Sequence, residues 1–580
     1  MFRCVCLALL AVILAGPAAA APPNVVLVIT DDQGYGDLGC HGNPILKTPH
    51  IDRLAKESGE CTHFYVCPVC APTRSALLTG RYNYRTQAID TFAGRALMRP
   101  DEVTLSHMLG AAGYRCGLFG KWHLGDNYPL RPQDRGFHEV LMLRGGGIAQ
   151  PSDPPGSSYY KPILEHNGVL ESYDRYCSDL FTDATIDFIG RTKDRPFFAY
   201  LAFNCPHLPM QAPEAETVPY TKLDLTPAAF PKIGRPYNVR AMKPEDLAKA
   251  YGMIANIDAN LGRLFTKLDE WKLTDNTIVI FMTDNGPGPA RWVSGLRAAK
   301  GSVYEGGIRV PFFIRWPAGG LGGGRTVDPA CAHIDAVPTL LSACGLTPPG
   351  DGKIDGVNLL PLLRGEVNGL PERTLFVQWH RGDVPEKYRA FAARAPRYKL
   401  VQATGAQAGA APNLHKLELF DIPADPYEEH DLAAEKPEVV ARLKRQYETW
   451  FDDVGKAHGY VPVRIKLGTP HENPTRLTRQ DWRGPRALDW TKPNSLGHWE
   501  VTVARDGTFD VTLRFPPAAE DRKAAFRLGR ATAENALPAN VETVTFRRLQ
   551  LTTGDARLEA WAELGGTAVG PMDVTVKRLE

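Results

Sequence analysis

The chain reads as an α/β protein: a mostly parallel central sheet with helices on both faces, then a smaller α+β subdomain and a terminal all-β domain. Three observations predict this. Up to about residue 370, runs that are apolar throughout alternate with stretches of helical periodicity, as expected of strands buried on both faces between covering helices. From 371 to 465 the elements are mixed and more polar. From 485 to 580, apolar and polar residues alternate over short segments, as in the half-buried strands of a sandwich. A length of 580 residues also suits about three or four domains rather than one.

The elements follow in order. Residues 1–21 carry one arginine, an apolar run too short for a comfortable membrane span, and a run of alanines; this predicts a cleaved signal peptide, export to the periplasm or medium, and no stable membrane anchor. "NVVLVIT" (24–30) is apolar and β-branched, a strand buried on both faces. "TPHIDRLAKES" (48–58) predicts a capped helix, "TLSHMLGAAG" (104–113) another, and "YRCGLFG" (114–120) a strand. "DLFTDATIDFIGR" (179–191) is amphipathic and precedes the strand "PFFAYLAF" (196–203). A long periodic helix at 245–271 leads into "TIVIFMT" (277–283), and "VPFFIRWP" (310–317) adds a further strand. "LELFDIPADPYEEHDLA" and a helix near 437–451 make the α+β part. "WEVTVARDGTFDVTLRF" alternates on both sides of Asp506-Gly507, which predicts a hairpin. The glycine runs at 145–147 and 319–324 lack the Gly-Lys-Ser/Thr ending of a nucleotide loop and predict flexible loops.

Charge narrows the partners. Sixty-seven basic residues balance 65 acidic ones, for a net charge of +2, so no electrostatic case exists for nucleic acid or anionic membrane. Of 11 cysteines, Cys4 and Cys6 fall in the leader. The others are Cys40, Cys61, Cys67, Cys70, Cys116, Cys177, Cys205, Cys331 and Cys344. Setting Cys70 aside leaves an even number, which suits disulfides in an oxidising compartment, though buried thiols fit as well. No zinc-type Cys/His spacing occurs.

Ligands in open α/β sheets gather at the carboxyl ends of strands. Here those ends read "TDDQG", "GKWHLG", "CPHLP" and "TDNG". Asp31, Asp32, Asp284 and Asn285 offer hard oxygens suited to Ca²⁺ or Mg²⁺, provided the chain turns at Gln33-Gly34 so that the adjacent aspartates converge. Each aspartate alone would read equally well as a turn or cap residue. Lys121 and His123 lie just past one strand and His207 just past another; a lone histidine is more often packed than catalytic. Arg74, Lys121 and Lys300 together can neutralise a bound oxyanion. Cys70 reads as half a disulfide, a buried thiol, or a thiolate at a helix start.

"CAPTR" followed by "SALLTGRY" resembles the signature of the sulfatase family, the formylglycine-dependent, arylsulfatase-like branch of the alkaline phosphatase superfamily. "PNVVLVITDDQGYGDLGCHG", "TPHIDRLAKESG", "GKWHLG", "TDNG", "KGSVYEGGIRVPFFIRWP", "HIDAVPTLLSACG" and "LELFDIPADPYEEHDLA" resemble further family blocks, in family order, over about three quarters of the chain. Ala71 and Thr73 depart from the commoner residues; Cys70, Pro72 and Arg74 are intact. The β-rich end lies outside the resemblance.

The resemblance implies a sulfuric ester hydrolase on an alkaline phosphatase-like catalytic domain at 22–370. It implies that a formylglycine-generating or sulfatase-maturating enzyme oxidises Cys70 to Cα-formylglycine, and that position 70 binds one Ca²⁺, ahead of Mg²⁺, with Asp31, Asp32, Asp284 and Asn285. Arg74 and Lys121 would hold the aldehyde hydrate, and His123 would act as base in sulfate release. His207 and Lys300 would grip the sulfate and protonate the leaving oxygen. One hydroxyl of the hydrate attacks sulfur, and ionisation of the other expels sulfate, an exit a serine ester lacks. The substrate implied is a sulfated glycan or small aryl sulfate. Two readings compete: a phosphomonoester, phosphodiester or phosphonate hydrolase of the same superfamily, and a binding protein with a degenerate site. For the terminal β region, a structural cap competes with a carbohydrate module that would use Trp482, Trp490, Trp499 and Trp561.

Overall fold

The computed structural model describes residues 21–235, 242–348, 353–407, 409–413, 415–456, 458–492 and 494–580. The signal-peptide reading therefore falls, except for its last residue, outside the described residues. Among these, no helix is long and apolar enough to cross a membrane.

A ten-stranded sheet organises the first two thirds of the chain. Its strands are β1 (Asn24–Thr30), β2 (Gly59–Cys61), β3 (Arg115–Lys121), β4 (Glu139–Leu143), β5 (Ile163–His166), β6 (Val169–Ser172), β7 (Phe197–Ala202), β8 (Thr277–Thr283), β9 (Phe312–Arg315) and β10 (Thr326–Val327), in the spatial order 10-2-9-8-1-7-3-4-5-6. The central five, β8-β1-β7-β3-β4, run parallel. The sheet turns mixed at its flanks. β9, from the "VPFFIRWP" segment, runs antiparallel to β8, and β5 and β6 close the other edge antiparallel.

β1 shows why the core forms. Val25, Leu27 and Ile29 enter one apolar layer with Leu77 and Leu78 of α2 (Cys70–Thr79). Val26 and Val28 enter the other, with Leu54 of α1 (Pro49–Lys56), Phe181 and Phe188 of α3 (Cys177–Thr192) and Met253, Ile257 and Leu261 of α4 (Pro244–Glu270). Each such side chain removed from water contributes about 1.5–3 kcal/mol. Because β1, β3, β7 and β8 are parallel, their carboxyl ends share one edge of the sheet.

A four-stranded antiparallel sheet follows, built from Leu375–Gln378, Phe391–Arg394, Tyr398–Gln402 and Glu418–Asp421. It shares an apolar cluster with Leu443, Tyr447 and Trp450 of the helix Pro437–Lys456. The remainder is two antiparallel-rich sheets around one core containing Trp482, Trp499, Phe509, Val511, Leu513 and Leu558. The strands Ile465–Leu467 and Thr475–Thr478 join these sheets ahead of position 485; at 3 and 4 residues they are too short for an alternating pattern to mark them in the sequence.

The hairpin expected at Asp506-Gly507 does not form. His498–Val503 pairs with Gly554–Leu564 in one sheet, and Gly507–Arg514 pairs with Thr543–Leu551 and Asp573–Arg578 in the other. The connection is an arch across the sandwich. Alternation is the same in both cases, since both strands turn their apolar face to the common core. Asp506 anchors the bend, accepting the Thr553 N–H at 2.6 Å.

Candidate active site

The site assembles at the carboxyl ends of β1, β3, β7 and β8. Asp31 and Asp32 follow β1 directly and are buried. The turn that aims them lies at Asp32 itself, at φ 63°, rather than at Gln33-Gly34; aspartate is among the few side chains that tolerate this left-handed region. Arg291 supports the turn. It donates to the Asp32 carbonyl at 2.6 Å while its Nε–H meets Asp37 Oδ2 at 2.8 Å.

α2 opens with Cys70, and all its residues are buried. Pro72 is tolerated in the first turn, where backbone N–H groups have no helical acceptor, and Gly80 at φ 70° ends the helix. One turn on, Arg74 donates through Nε and Nη2 to Asp284 Oδ2 at 3.0 and 2.9 Å, and through Nη1 to the Lys121 carbonyl at 3.1 Å. Lys121, the last residue of β3, meets Asp31 Oδ2 at 2.5 Å. Lys300 meets Asp32 Oδ1 at 2.5 Å, and Asn285 Nδ2 donates to the same oxygen at 2.9 Å.

Each carboxylate is thus held by a cation on one oxygen, which leaves the other side of the cluster in surplus of acceptors. Asp31 Oδ1 and Asn285 Oδ1 are buried without a hydrogen-bond partner. Asp284 Oδ1 accepts the Asp32 N–H at 3.2 Å. Ligand atoms of Asp31, Cys70 and Asp284 lie within 4.8 Å of one another. A group of three ligand atoms that includes the carboxylate with an orphaned oxygen, Asp31, fits a hard divalent cation.

Electrostatics follow from this packing. Burial and the neighbouring Asp31 push Asp284 up to about 7, against Arg74. Burial also raises Asp32, but Lys300, His207 and Lys121 outweigh it and hold its carboxyl below the ordinary range. Burial pushes the Cys70 thiol up, against the pull of Lys121 and Lys300, which disfavours a thiolate. The nine described cysteines are all free, and all but Cys40 are buried.

The two histidines flank the cluster. His123, at φ 62°, directs Nε2 to the Thr91 carbonyl at 2.7 Å and leaves Nδ1 buried and unpartnered. Burial and Lys121 drive it well below its usual value. His207 does the opposite, with Nδ1 at 2.8 Å from the Leu208 carbonyl and Nε2 at 3.8 Å from Asp32 Oδ2. Burial brings it to about 4, against Asp32.

Sequence reasoning missed several contributors. Glycines 145–147 are not a free loop. A Cβ on Gly146 would lie 2.6 Å from the His123 ring and from Gln150 Oε1, and one on Gly147 would lie 2.9 Å from His207 Nδ1. Only glycine lets the backbone approach both rings so closely. Thr91, Gln150 and Arg291 were silent in the sequence, because a backbone carbonyl, a loop amide and a distant arginine carry no local pattern. Trp482 and Trp499 are fully buried in the sandwich core, while Trp490 and Trp561 are half-buried.

Known proteins match over the same span. The sulfatase family model covers residues 23–346, and a model described as the C-terminal part of N-sulphoglucosamine sulphohydrolase covers 298–452. Arylsulfatase A of Homo sapiens is 33% identical over 491 residues, 75% of this chain and 89% of that protein. N-acetylgalactosamine-6-sulfatase of Homo sapiens is 32% identical over 397 residues, 63% of this chain and 69% of that one. Among solved structures, Ps i-CgsB in complex with k-i-k-neocarrahexaose superposes with a TM-score of 0.62 at 28% identity, covering 74% of this chain and 92% of that one. The phosphonate monoester hydrolase of Agrobacterium radiobacter shares the fold, with a TM-score of 0.54 at 23% identity over 76% of this chain and 96% of that one.

Proposed function

The chain belongs to the sulfatase family of sulfate-ester hydrolases, and from that premise we propose that it is an exported enzyme acting on sulfated carbohydrate through a formylglycine made from Cys70 and one bound Ca²⁺. The observation that carries this reading is that a ligand atom at position 70 lies within 4.8 Å of those of Asp31 and Asp284, carboxylates that Lys121 and Arg74 hold, with Asp31 Oδ1 left without a partner.

Asp31, Asp32, Asp284, Asn285 and the side chain at position 70 would hold the metal, which supplies charge neutralisation to a sulfate oxygen. A hydrated aldehyde at position 70 supplies a nucleophile whose sulfated form can be opened by ionising its second hydroxyl. The chain's own residues do the rest. Arg74 and Lys121 orient side chain 70 and stabilise negative charge on it. Lys121 and Lys300 each have further N–H donors beyond their aspartates, which would serve a bound sulfate. His123 Nδ1, with its lone pair free, takes the hydroxyl proton. His207 Nε2 and Lys300 serve the leaving oxygen; for His207 this requires a second ring proton, which a bound anion favours.

The leader sequence supports export, and maturation by a formylglycine-generating enzyme follows from Cys70, Pro72 and Arg74 standing intact. The carbohydrate substrate rests on the oligosaccharide held by a structural relative. Ca²⁺ rather than Mg²⁺ follows from a donor set rich in protein oxygens. The rival is a phosphomonoester, phosphodiester or phosphonate hydrolase, because tetrahedral oxyanions of sulfur and phosphorus meet the same cations.

The test is mass spectrometry of the tryptic peptide spanning position 70, with metal analysis and paired aryl sulfate and aryl phosphate substrates. We expect an aldehyde or its hydrate, one calcium per chain, and preference for the sulfate. An unmodified thiol in active enzyme defeats the formylglycine reading, and preference for phosphate makes the rival correct.

A further inference from the structure

The carbonyl that holds His123 is held in turn by the terminal β-sandwich. Thr91 O lies 2.7 Å from His123 Nε2 and also accepts Gln480 Nε2 at 3.0 Å. Gln480 follows the sandwich strand Thr475–Thr478 by two residues and is 2% exposed. The clamp has further points. The Gly94 N–H donates to the Gln480 carbonyl at 3.2 Å, and Arg483 Nη2 donates to the Gly94 carbonyl at 2.5 Å. The Phe92 ring meets Trp490 edge-on, with centroids 4.9 Å apart. A Cβ on Gly145 would lie 3.7 Å from Gln480 Cδ, so the same amide also packs beneath the glycine loop that covers the histidines.

We propose that Gln480 is a positioning residue for His123: the sandwich fixes the orientation and tautomer of that histidine through the Thr91 carbonyl. A carbonyl oxygen only accepts, so the ring nitrogen facing it carries the proton and the base function is confined to Nδ1. One peptide oxygen receiving two N–H donors is pinned in direction. Without the amide donor the 91–94 loop retains its backbone but loses the contact that points the Thr91 carbonyl at the ring. The sandwich is on this view neither a detached sugar-binding module nor a passive cap, but one wall of the active site.

The inference rests on His123 serving in catalysis, and the experiment separates the two. In the matured full-length protein, Gln480→Met keeps volume and removes the donor. We expect kcat on 4-nitrophenyl sulfate to fall about tenfold or more, since small misplacements of a reacting group have effects up to about a hundredfold, with KM unchanged. Imidazole ¹⁵N spectra of histidine-labelled protein, with His123 assigned by its absence in His123→Gln, should show the Nε2–H form in the wild type and a mixture of tautomers in Gln480→Met. Gln480→Leu also lacks any donor and provides a second variant with at least the same loss. Wild-type kcat in either variant, a change in KM alone, or an unmoved His123 tautomer overturns the proposal. Full activity of His123→Ala would instead overturn the catalytic reading of His123 and leave the tautomer result standing.

Discussion

The loop carrying His123 and the loop carrying His207 border the same cluster under one run of glycines and are built in opposite ways. His207 is anchored by its own neighbour, the carbonyl of Leu208, so its free nitrogen is Nε2, toward Asp32. His123 is anchored by a carbonyl 32 residues away, itself held from a sandwich residue 389 positions from Thr91, and its free nitrogen is Nδ1. Two neutral imidazoles in one pocket are thereby assigned opposite tautomers. The difference teaches that the residue type supplies a titratable ring, while the nearest carbonyl decides which edge of it works.

The largest effect expected is on the base side. His123→Ala should lower kcat by about three orders of magnitude, near the middle of the range for general acid–base groups, and by the same factor for aryl and alkyl sulfates. A leaving-group dependence in steady-state kinetics would break the contrast. His207→Ala should behave differently. Its loss should reach about a hundredfold on an alkyl sulfate, whose departing oxygen needs a proton, and shrink to about tenfold on 4-nitrophenyl sulfate. Equal factors on both substrates would remove His207 from the acid role.

Gly146→Ala sharpens the comparison in space. The added methyl meets the His123 ring rather than His207, and should lower kcat about tenfold through misalignment, with the His207 ring signals unmoved. Shifts confined to His207 would show the loop to be misassigned.

The smallest effect concerns a buried histidine outside the site. His333 sets Nδ1 against the Tyr65 carbonyl at 3.0 Å, and burial holds it down to about 4. The ordinary value is about 6.5, so between these limits the unfolded chain binds the extra proton and the folded one does not. The stability this group contributes is complete above about pH 6.5 and is lost as pH falls toward 4. Thermal midpoints measured across that window should fall less steeply in His333→Gln than in the wild type; parallel curves would refute the assignment.

Much of the fold was legible because it is local. "NVVLVIT" and "TIVIFMT" are apolar at every position, which only a strand covered on both faces accommodates, and the strand-end aspartates and histidines could be located from that pattern alone. The flanking strands were less legible, since the Phe312–Ile314 run of β9 is as apolar as the strands of the parallel block and periodicity carries no direction. The arch at Asp506-Gly507 was misread for a related reason: a turn sequence and alternating flanks describe two strands facing one core, whether they lie in one sheet or two.

The sequence by itself determined which chemical groups are present and at which strand ends they stand, because backbone sterics and burial act over some ten residues. The tertiary structure alone decided which oxygen each cation occupies, which ring nitrogen is left free, why three glycines must lie over the histidines, and that Gln480 reaches the site. Those partners are separated by tens to hundreds of positions, and hydrogen bonds and close contacts between them exist only once sheet order and the docking of the sandwich bring them within about 3 Å.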